Sequence, residues 1–350
     1  MDFALSDEQE ALVDAEHAWL TKNDPLVRLR ESPEGKAPRL SPVEVRHLTE
    51  SGLIGLLTAE IGGTHVDLAV LVEEHGRSCS PIPLAELAVA ARLLDLLHHP
   101  LRGDAESAAE IVLPALGSLE RSALHAEVDG RTLTLNGTTG PATGLADATH
   151  ILITCVTTSG SEVAVVLPVA AVTIRTLRTL DLTRSWSVVE LNTTVQADQW
   201  FNLSTGTVAF VHDELTVYRS LDALGAARRL VDTTVGYARQ RTQFDRPIAS
   251  FQAIKHHCAN MALSTETSRA ALWAAAVALD GDADNRGRAV SAAAAFAGEG
   301  TSTTAQIALQ VHGGIGFTWE HDLHLLLRRI KVDELVDGSV SFHRRRLVTA

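Results

Sequence analysis

The last 140 or so residues keep one apolar face over lengths that only long helices can use. Val217, Leu221, Leu224, Ala227, Val231, Val235 and Ala238 follow one another at steps of three or four. So do Ile254, Cys258, Met261, Thr265, Ser268, Leu272, Ala275 and Leu279. That period belongs to an amphipathic helix. An alanine-rich stretch near 287–310 and a further one near 320–335 extend the pattern, and four such helices predict an up-and-down bundle. Aromatic residues make up only 4% of the chain, so its core must be built from Leu, Val and Ala, which suits closely packed helices.

Upstream the period changes. Leu133 and Leu135 alternate with Thr132 and Thr134, and Ile151–Ile153, Val163–Leu167 and Val188–Leu191 are short apolar runs. Val128-Asp129-Gly130 and Asn136-Gly137 read as turns between strands. Before about residue 110 the chain reads as helices again. Ser6 is placed to cap one, and Ser41-Pro42 to Gly52 brackets another. Residues 66–77 and 83–98 give two more. The expected class is α+β multidomain: a helical domain over 1–112, a β-barrel or sandwich over 113–205, and a four-helix bundle over 206–350.

The formal charge of -13 argues against a broad nucleic-acid or anionic-membrane surface, though not against a local basic pocket for a phosphate. Cys79, Cys155 and Cys258 show no CxxC spacing and read as buried or half-buried apolar residues. The histidines have no metal-binding spacing; His98-His99 and His256-His257 are adjacent pairs that cannot face one ion from a helix. No metal is expected. The acidic start has neither the basic nor the apolar part of a signal peptide, and no run is long enough to span a membrane, so a cytoplasmic location is expected.

Two segments carry the chemistry. The first runs from Tyr237 through Arg241, Thr242, Gln243, Phe244, Asp245, Arg246 and Pro247 to Gln252. The second is Gln310-Val311-His312-Gly313-Gly314-Ile315-Gly316-Phe317. A guanidinium at a helix end can hold a phosphate through paired hydrogen bonds, Phe244 offers a flat apolar face, and the glycines let backbone approach a ligand. Both segments resemble the acyl-CoA dehydrogenase family. So, more weakly, do Ser6-Asp7-Glu8-Gln9 and Glu60-Ile61-Gly62-Gly63 with Glu73-Glu74-His75-Gly76-Arg77.

The resemblance implies FAD straddling a subunit interface. Arg241, Phe244 and Gln252 would serve the pyrophosphate side, and Gln310, Gly313 and Gly314 the adenine side, of a neighbour's flavin. Thr143 and Ser339 match positions that touch the flavin ring. Asp337-Gly338-Ser339 stands where many members have Glu-Gly-Thr, which makes Asp337 the candidate base for removing the α-proton of an acyl-CoA. Asp reaches one methylene less far than Glu, and Asp337 also reads as a simple polar end to a helix. Glu214, beside the position that carries the base in other members, is the reserve. The family's electron acceptor is an electron-transfer flavoprotein or similar protein.

The β region departs from the family. The stretch near Leu113–Ser118 lacks the usual Thr-Glu-Pro-Gly pattern, so the ring-facing half of the flavin site is weak while the half that serves a neighbour is intact. That asymmetry resembles the short actinobacterial members that pair with a second, different subunit as dimers of dimers, many of them acting on steroid side-chain thioesters. Asp181-Leu182-Thr183-Arg184 resembles that group too; otherwise Arg184 reads as a surface turn residue. The basic cluster Arg328, Arg329, Lys331, His343, Arg344, Arg345 and Arg346 reads either as a solvated face or as an interface or CoA-phosphate contact. The resemblance therefore leaves open an FAD-dependent dehydrogenase, a non-catalytic partner that completes another chain's flavin site, and a flavin-dependent oxygenase.

Overall fold

The computed structural model describes residues 5–31, 38–120, 123–281 and 285–349. Six helices come first: α1 (Asp7–Lys22), α2 (Pro25–Glu31), α3 (Pro42–Ser51), α4 (His65–Ser78), α5 (Leu84–Leu96) and α6 (Arg102–Glu106). Nine strands follow: β1 (Val112–Leu116), β2 (Ala123–Asp129), β3 (Thr132–Thr138), β4 (Ala142–Thr143), β5 (His150–Val156), β6 (Glu162–Pro168), β7 (Thr173–Leu177), β8 (Trp186–Gln196) and β9 (Trp200–Leu203). The C-terminal part holds α7 (Thr207–Gln240), a small hairpin of β10 (Thr242–Gln243) and β11 (Arg246–Pro247), then α8 (Gln252–Asp280), α9 (Arg286–His312), α10 (Leu323–Val336) and α11 (Val340–Thr349).

Local chemistry sets the helix ends. Ser6 with Gln9, Ser41 with Glu44 and Thr64 with Asp67 each form a reciprocal capping box, which pairs two otherwise orphan backbone donors. In the strand region one sheet has the order β1-β5-β6-β9 and the other β2-β3-β8-β4, with β7 also on β8. All pairings are antiparallel except β1 on β5. The alternation at 132–135 is the face pattern of β3, with Leu133 and Leu135 buried. Asp129-Gly130 does turn between β2 and β3. Asn136-Gly137 does not: it lies inside β3, paired with β2 and β8. A side chain at Gly137 would meet the Ala123 carbonyl oxygen at 1.8 Å, so the residue is there for strand contact and not for reversal.

The helical core of the N-terminal part is fastened to the bundle by α4 crossing α7 at backbone contact. A Cβ on Gly76 would lie 2.0 Å from the Asp222 carbonyl, and one on Gly225 would lie 1.9 Å from that of Glu73. This crossing brings the charged residues of α7 beside α4 and α5. Cys79 and Cys155 are buried and Cys258 half-buried. Among the described residues no helix is long and apolar enough to cross a membrane, and no cluster of His, Cys, Asp or Glu could hold a metal ion.

Candidate functional site

The two motifs meet at one end of the bundle. Arg241 caps α7, and its backbone carbonyl accepts from Ile248 N–H at 2.8 Å, closing the hairpin. Phe244 and Asp245 form the hairpin tip with φ of +53° and +61°, a left-handed conformation that L residues adopt at a cost. Phe244 is 86% exposed, and its ring meets Phe251 edge-on at 6.0 Å. The Arg246 guanidinium lies over the Phe251 ring at 4.2 Å. Arg241, Gln252 and Gln310 are all exposed.

Tyr237, one turn before Arg241, stacks on His312 at 4.5 Å, immediately before Gly313. His312 donates its Nδ1–H to the Ala308 carbonyl at 2.8 Å, and burial lowers its pKa, so the ring is neutral. Gly313 has φ +62°, and added Cβ atoms on Gly313 and Gly314 would meet nothing within 4 Å. Phe317 is 73% exposed and Trp319 also faces outward. This end of the bundle presents a free guanidinium edge, accessible backbone and flat apolar rings. That donor set fits the phosphates and adenine of a dinucleotide.

Asp337 lies elsewhere, in a cleft between the β sheets and α7. It ends α10, with Gly338 behind it at φ +106°. Arg219 Nη1 donates to both Asp337 oxygens at 2.5 Å, and Arg219 Nη2 lies 3.4 Å from Glu86 Oε1. Glu86 also accepts from the Thr143 hydroxyl at 2.7 Å, so Thr143 is buried with its oxygen turned toward α5. The Ser339 hydroxyl donates to Glu120 at 2.8 Å and accepts from Phe342 N–H at 3.2 Å, capping α11. The residues matched to the ring side thus have protein partners.

Behind Arg219 lies a buried network that joins the strand region to the bundle. Arg184 binds Asp181 and Asp333, each at 2.7 Å, and Arg329 binds both oxygens of Asp222 at 2.6 Å. Trp186 donates its indole N–H to Asp181 at 3.1 Å and lies under the guanidinium of Arg184. Burial would raise the Asp222 carboxyl, but Arg329 and Arg184 outweigh it and hold the group at about 2. Burial wins at Asp333, which is pushed well above the ordinary carboxylate range despite Arg184. Arg184 is therefore no surface turn residue. The basic cluster is a solvated face only in part: Arg344 and Arg345 are exposed, whereas Arg329 and His343 are buried and Arg346 pairs with the buried Asp213.

Glu214 points to the other side of α7. It is fully buried, accepts from Arg92 at 2.6 Å and lies 3.8 Å from His65 Nε2. Burial raises it to about 7 against the pull of Arg92, and burial lowers His65 to about 3. Glu214 does not line the hollow at Asp337; Leu215 and Arg219 do.

Arg219, Glu86 and Asp222 escaped the reading of the sequence. The available signal was charge close to the apolar stripe of α7, with Arg219 and Asp222 flanking Leu221. A helix that keeps charges beside its buried face must pair them within the fold.

A helical N-terminal part, a strand region and a C-terminal helical bundle joined in this order define the acyl-CoA dehydrogenase fold. Along its full length the chain superposes on a chain of the ChsE4-ChsE5 complex from Mycobacterium tuberculosis, with TM-score 0.89, 24% identity and 98% of that chain covered. It superposes on glutaryl-coenzyme A dehydrogenase with TM-score 0.87, 21% identity and coverage of 99% of this chain and 96% of that one.

The chain belongs to the acyl-CoA dehydrogenase family. Residues 215–350 match the acyl-CoA dehydrogenase C-terminal domain. The acyl-CoA dehydrogenase IpdE2 of Mycobacterium tuberculosis is 31% identical over 270 residues, 77% of this chain and 72% of that protein. The acyl-CoA dehydrogenase FadE34 of the same organism is 34% identical over 323 residues, 89% of this chain. The match spans only 42% of the length of FadE34.

Proposed function

We propose that this chain is the partner subunit of a heteromeric FAD-dependent acyl-CoA dehydrogenase. It presents the Arg241 hairpin and the 310–317 turn to the flavin of a neighbouring, catalytic chain. The observation that carries this reading is the contrast between its two half-sites. The groups matched to a neighbour's flavin face outward at the end of the bundle. The two hollows that Asp337 lines have room for about one water molecule each, too small for an isoalloxazine ring or an acyl chain. The Asp337 carboxylate accepts from Arg219 and is not free to meet an α-proton.

Bound flavin would supply the hydride acceptor. The residues of this chain would orient it: Arg241 through paired hydrogen bonds to phosphate, Phe244 by covering an apolar face, and Gln310 with Gly313 and Gly314 by close backbone approach. FadE34 supports a second chain in the assembly, because there the matched region is joined to more protein than it spans itself. Likeness to the ChsE4-ChsE5 complex favours the same arrangement. Acyl-CoA thioesters, bulky steroid side chains among them, are the substrate class of the pair, and an electron-transfer flavoprotein is its acceptor.

The reading in which this chain itself dehydrogenates has one observation in its favour: Asp337 lines the cleft opposite Gly140–Ala142 of the strand region. Flavin content decides between them. The chain purified alone should be colourless, and it should co-purify with flavin only when expressed with its catalytic partner. A yellow homomeric protein bleached by an acyl-CoA, and losing that response on Asp337→Asn, would establish the second reading.

A further inference from the structure

The hairpin after α7 turns on two residues. Phe244 and Asp245 both have positive φ, as a tight type I′ turn requires. Gln243 pairs with Arg246 and Thr242 with Pro247, and the bond from Ile248 N–H to the Arg241 carbonyl carries the register one step further. Side chains alternate along each strand, so Arg241, Gln243 and Arg246 share one face of the ribbon and Thr242 takes the other. On that face Arg241 and Arg246 are diagonal neighbours, about 7–8 Å apart at their bases and within reach of each other's long side chains.

Two guanidinium groups placed in this way repel one another. The chain carries a formal charge of -13, so acids are in excess, yet among the described residues neither Arg241 nor Arg246 has a carboxylate within ion-pair distance. Both side chains are exposed. The Arg246 guanidinium lies instead over the Phe251 ring at 4.2 Å. Phe251 is held by its own N–H bond to the Ile248 carbonyl at 3.1 Å and by edge-on contact with Phe244. A ring engages the flat face of a guanidinium and leaves its in-plane N–H groups free for an anion.

We infer that Arg246 is a second phosphate-binding residue, which with Arg241 forms a two-guanidinium clamp for the two phosphates of a dinucleotide. The inference deepens the partner-subunit reading and rests on it for the identity of that dinucleotide. A pyrophosphate carries its charge on two linked phosphoryl groups, so each can take one guanidinium. The Phe251 ring sets the plane of Arg246 before the ligand arrives, which lowers the cost of ordering it.

The test is inorganic pyrophosphate titrated calorimetrically into the full chain at fixed ionic strength. The wild type should bind it at least about tenfold more tightly than orthophosphate, because the second phosphoryl group gains a charged contact of its own. Arg246→Gln should weaken pyrophosphate binding by about tenfold and remove most of that preference. Phe251→Leu keeps both charges but not the ring, and should weaken binding by about threefold. Arg239→Gln removes a neighbouring cation that lies on α7 and not on the ribbon, and should change binding by less than about twofold. Absence of saturable pyrophosphate binding to the wild type, or binding no tighter than that of orthophosphate, overturns the clamp. So does a loss in Arg239→Gln as large as that in Arg246→Gln, which would mean diffuse attraction of anions. Flavin content of the co-expressed complex is read separately. A colourless complex whose chain still holds pyrophosphate through Arg246 sinks the partner-subunit reading alone; a yellow complex whose chain binds pyrophosphate without regard to Arg246 sinks the clamp alone.

Discussion

The ring of Tyr237 stacks on that of His312 at 4.5 Å, which joins the end of α7 to the end of α9 and holds the Arg241 hairpin beside the glycine turn. An aromatic pair of this kind contributes about 0.5–1.5 kcal/mol beyond the area it buries. If both motifs grip one dinucleotide, loosening the stack should weaken that grip without touching it directly. Tyr237→Ala should lower the flavin affinity of the assembled complex by about tenfold, and Tyr237→Phe should leave it near the wild-type value. Flavin release followed by fluorescence separates the two.

Arg241 should not be replaceable by lysine. A guanidinium offers two parallel donors to a phosphate, whereas an ammonium offers a point charge. Arg241→Lys should weaken FAD binding by the complex at least tenfold, an order-of-magnitude expectation for losing one charged hydrogen bond, while the melting temperature of the isolated chain stays within about 1 °C, since exposed substitutions change stability little. Equal flavin affinity in the two proteins would remove Arg241 from the site.

The hairpin tip stores strain in Asp245, whose φ of +61° suits glycine. Asp245→Gly should stabilise the folded chain by up to about 1 kcal/mol, measured by urea denaturation, unless the unfolded chain gains as much freedom. A loss of stability would show that the Asp245 side chain makes a contact that offsets its backbone cost.

The buried pair Asp222 and Asp333 should respond oppositely to amide substitution. Arg329 holds Asp222 low, and burial pushes Asp333 up. Asp333→Asn keeps the shape of a carboxyl that burial biases toward its neutral form and should cost less than about 1 kcal/mol. Asp222→Asn leaves Arg329 without its carboxylate and should cost roughly 3–5 kcal/mol. Denaturation midpoints of the two variants test this directly.

Glu214 and His65 should oppose one another in the pH dependence of stability. His65 titrates near 3 in the folded chain, below its unfolded value, so the unfolded chain binds more protons and stability rises with pH between about 3 and 6.5. Glu214 titrates near 7, above its unfolded value, so the folded chain binds more protons and stability falls between about 4.3 and 7. From about 4.5 to 6.5 the two slopes cancel. Glu214→Gln should uncover the histidine slope, an added rise of roughly 1.4 kcal/mol per pH unit over that window relative to the wild type. An unchanged profile would mean that one of the two groups is not perturbed as described.

Most helices, several strands and the family were legible in the chain's local pattern, because period, caps and the two bundle motifs are local: Ser41 with Glu44 caps α3 whatever surrounds it, and the three-four step from Val217 to Ala238 can bury one face only as a helix, whereas Asn136-Gly137 looked like a turn until its strand partners were known. That pattern also marked Arg241, Phe244 and the glycine turn, whose chemistry follows from neighbours a few positions away. Tertiary structure decided the fate of every charge on the buried side. Arg219 and Asp337 are 118 positions apart, Arg184 and Asp333 149, and no spacing rule links them. Packing of α10 against α7 brings Asp337 to Arg219, and the turn before β8 brings Arg184 to Asp333. A buried guanidinium must find carboxylates wherever the fold puts them, so the closed state of the Asp337 cleft belongs to the packed molecule and not to any segment of its chain.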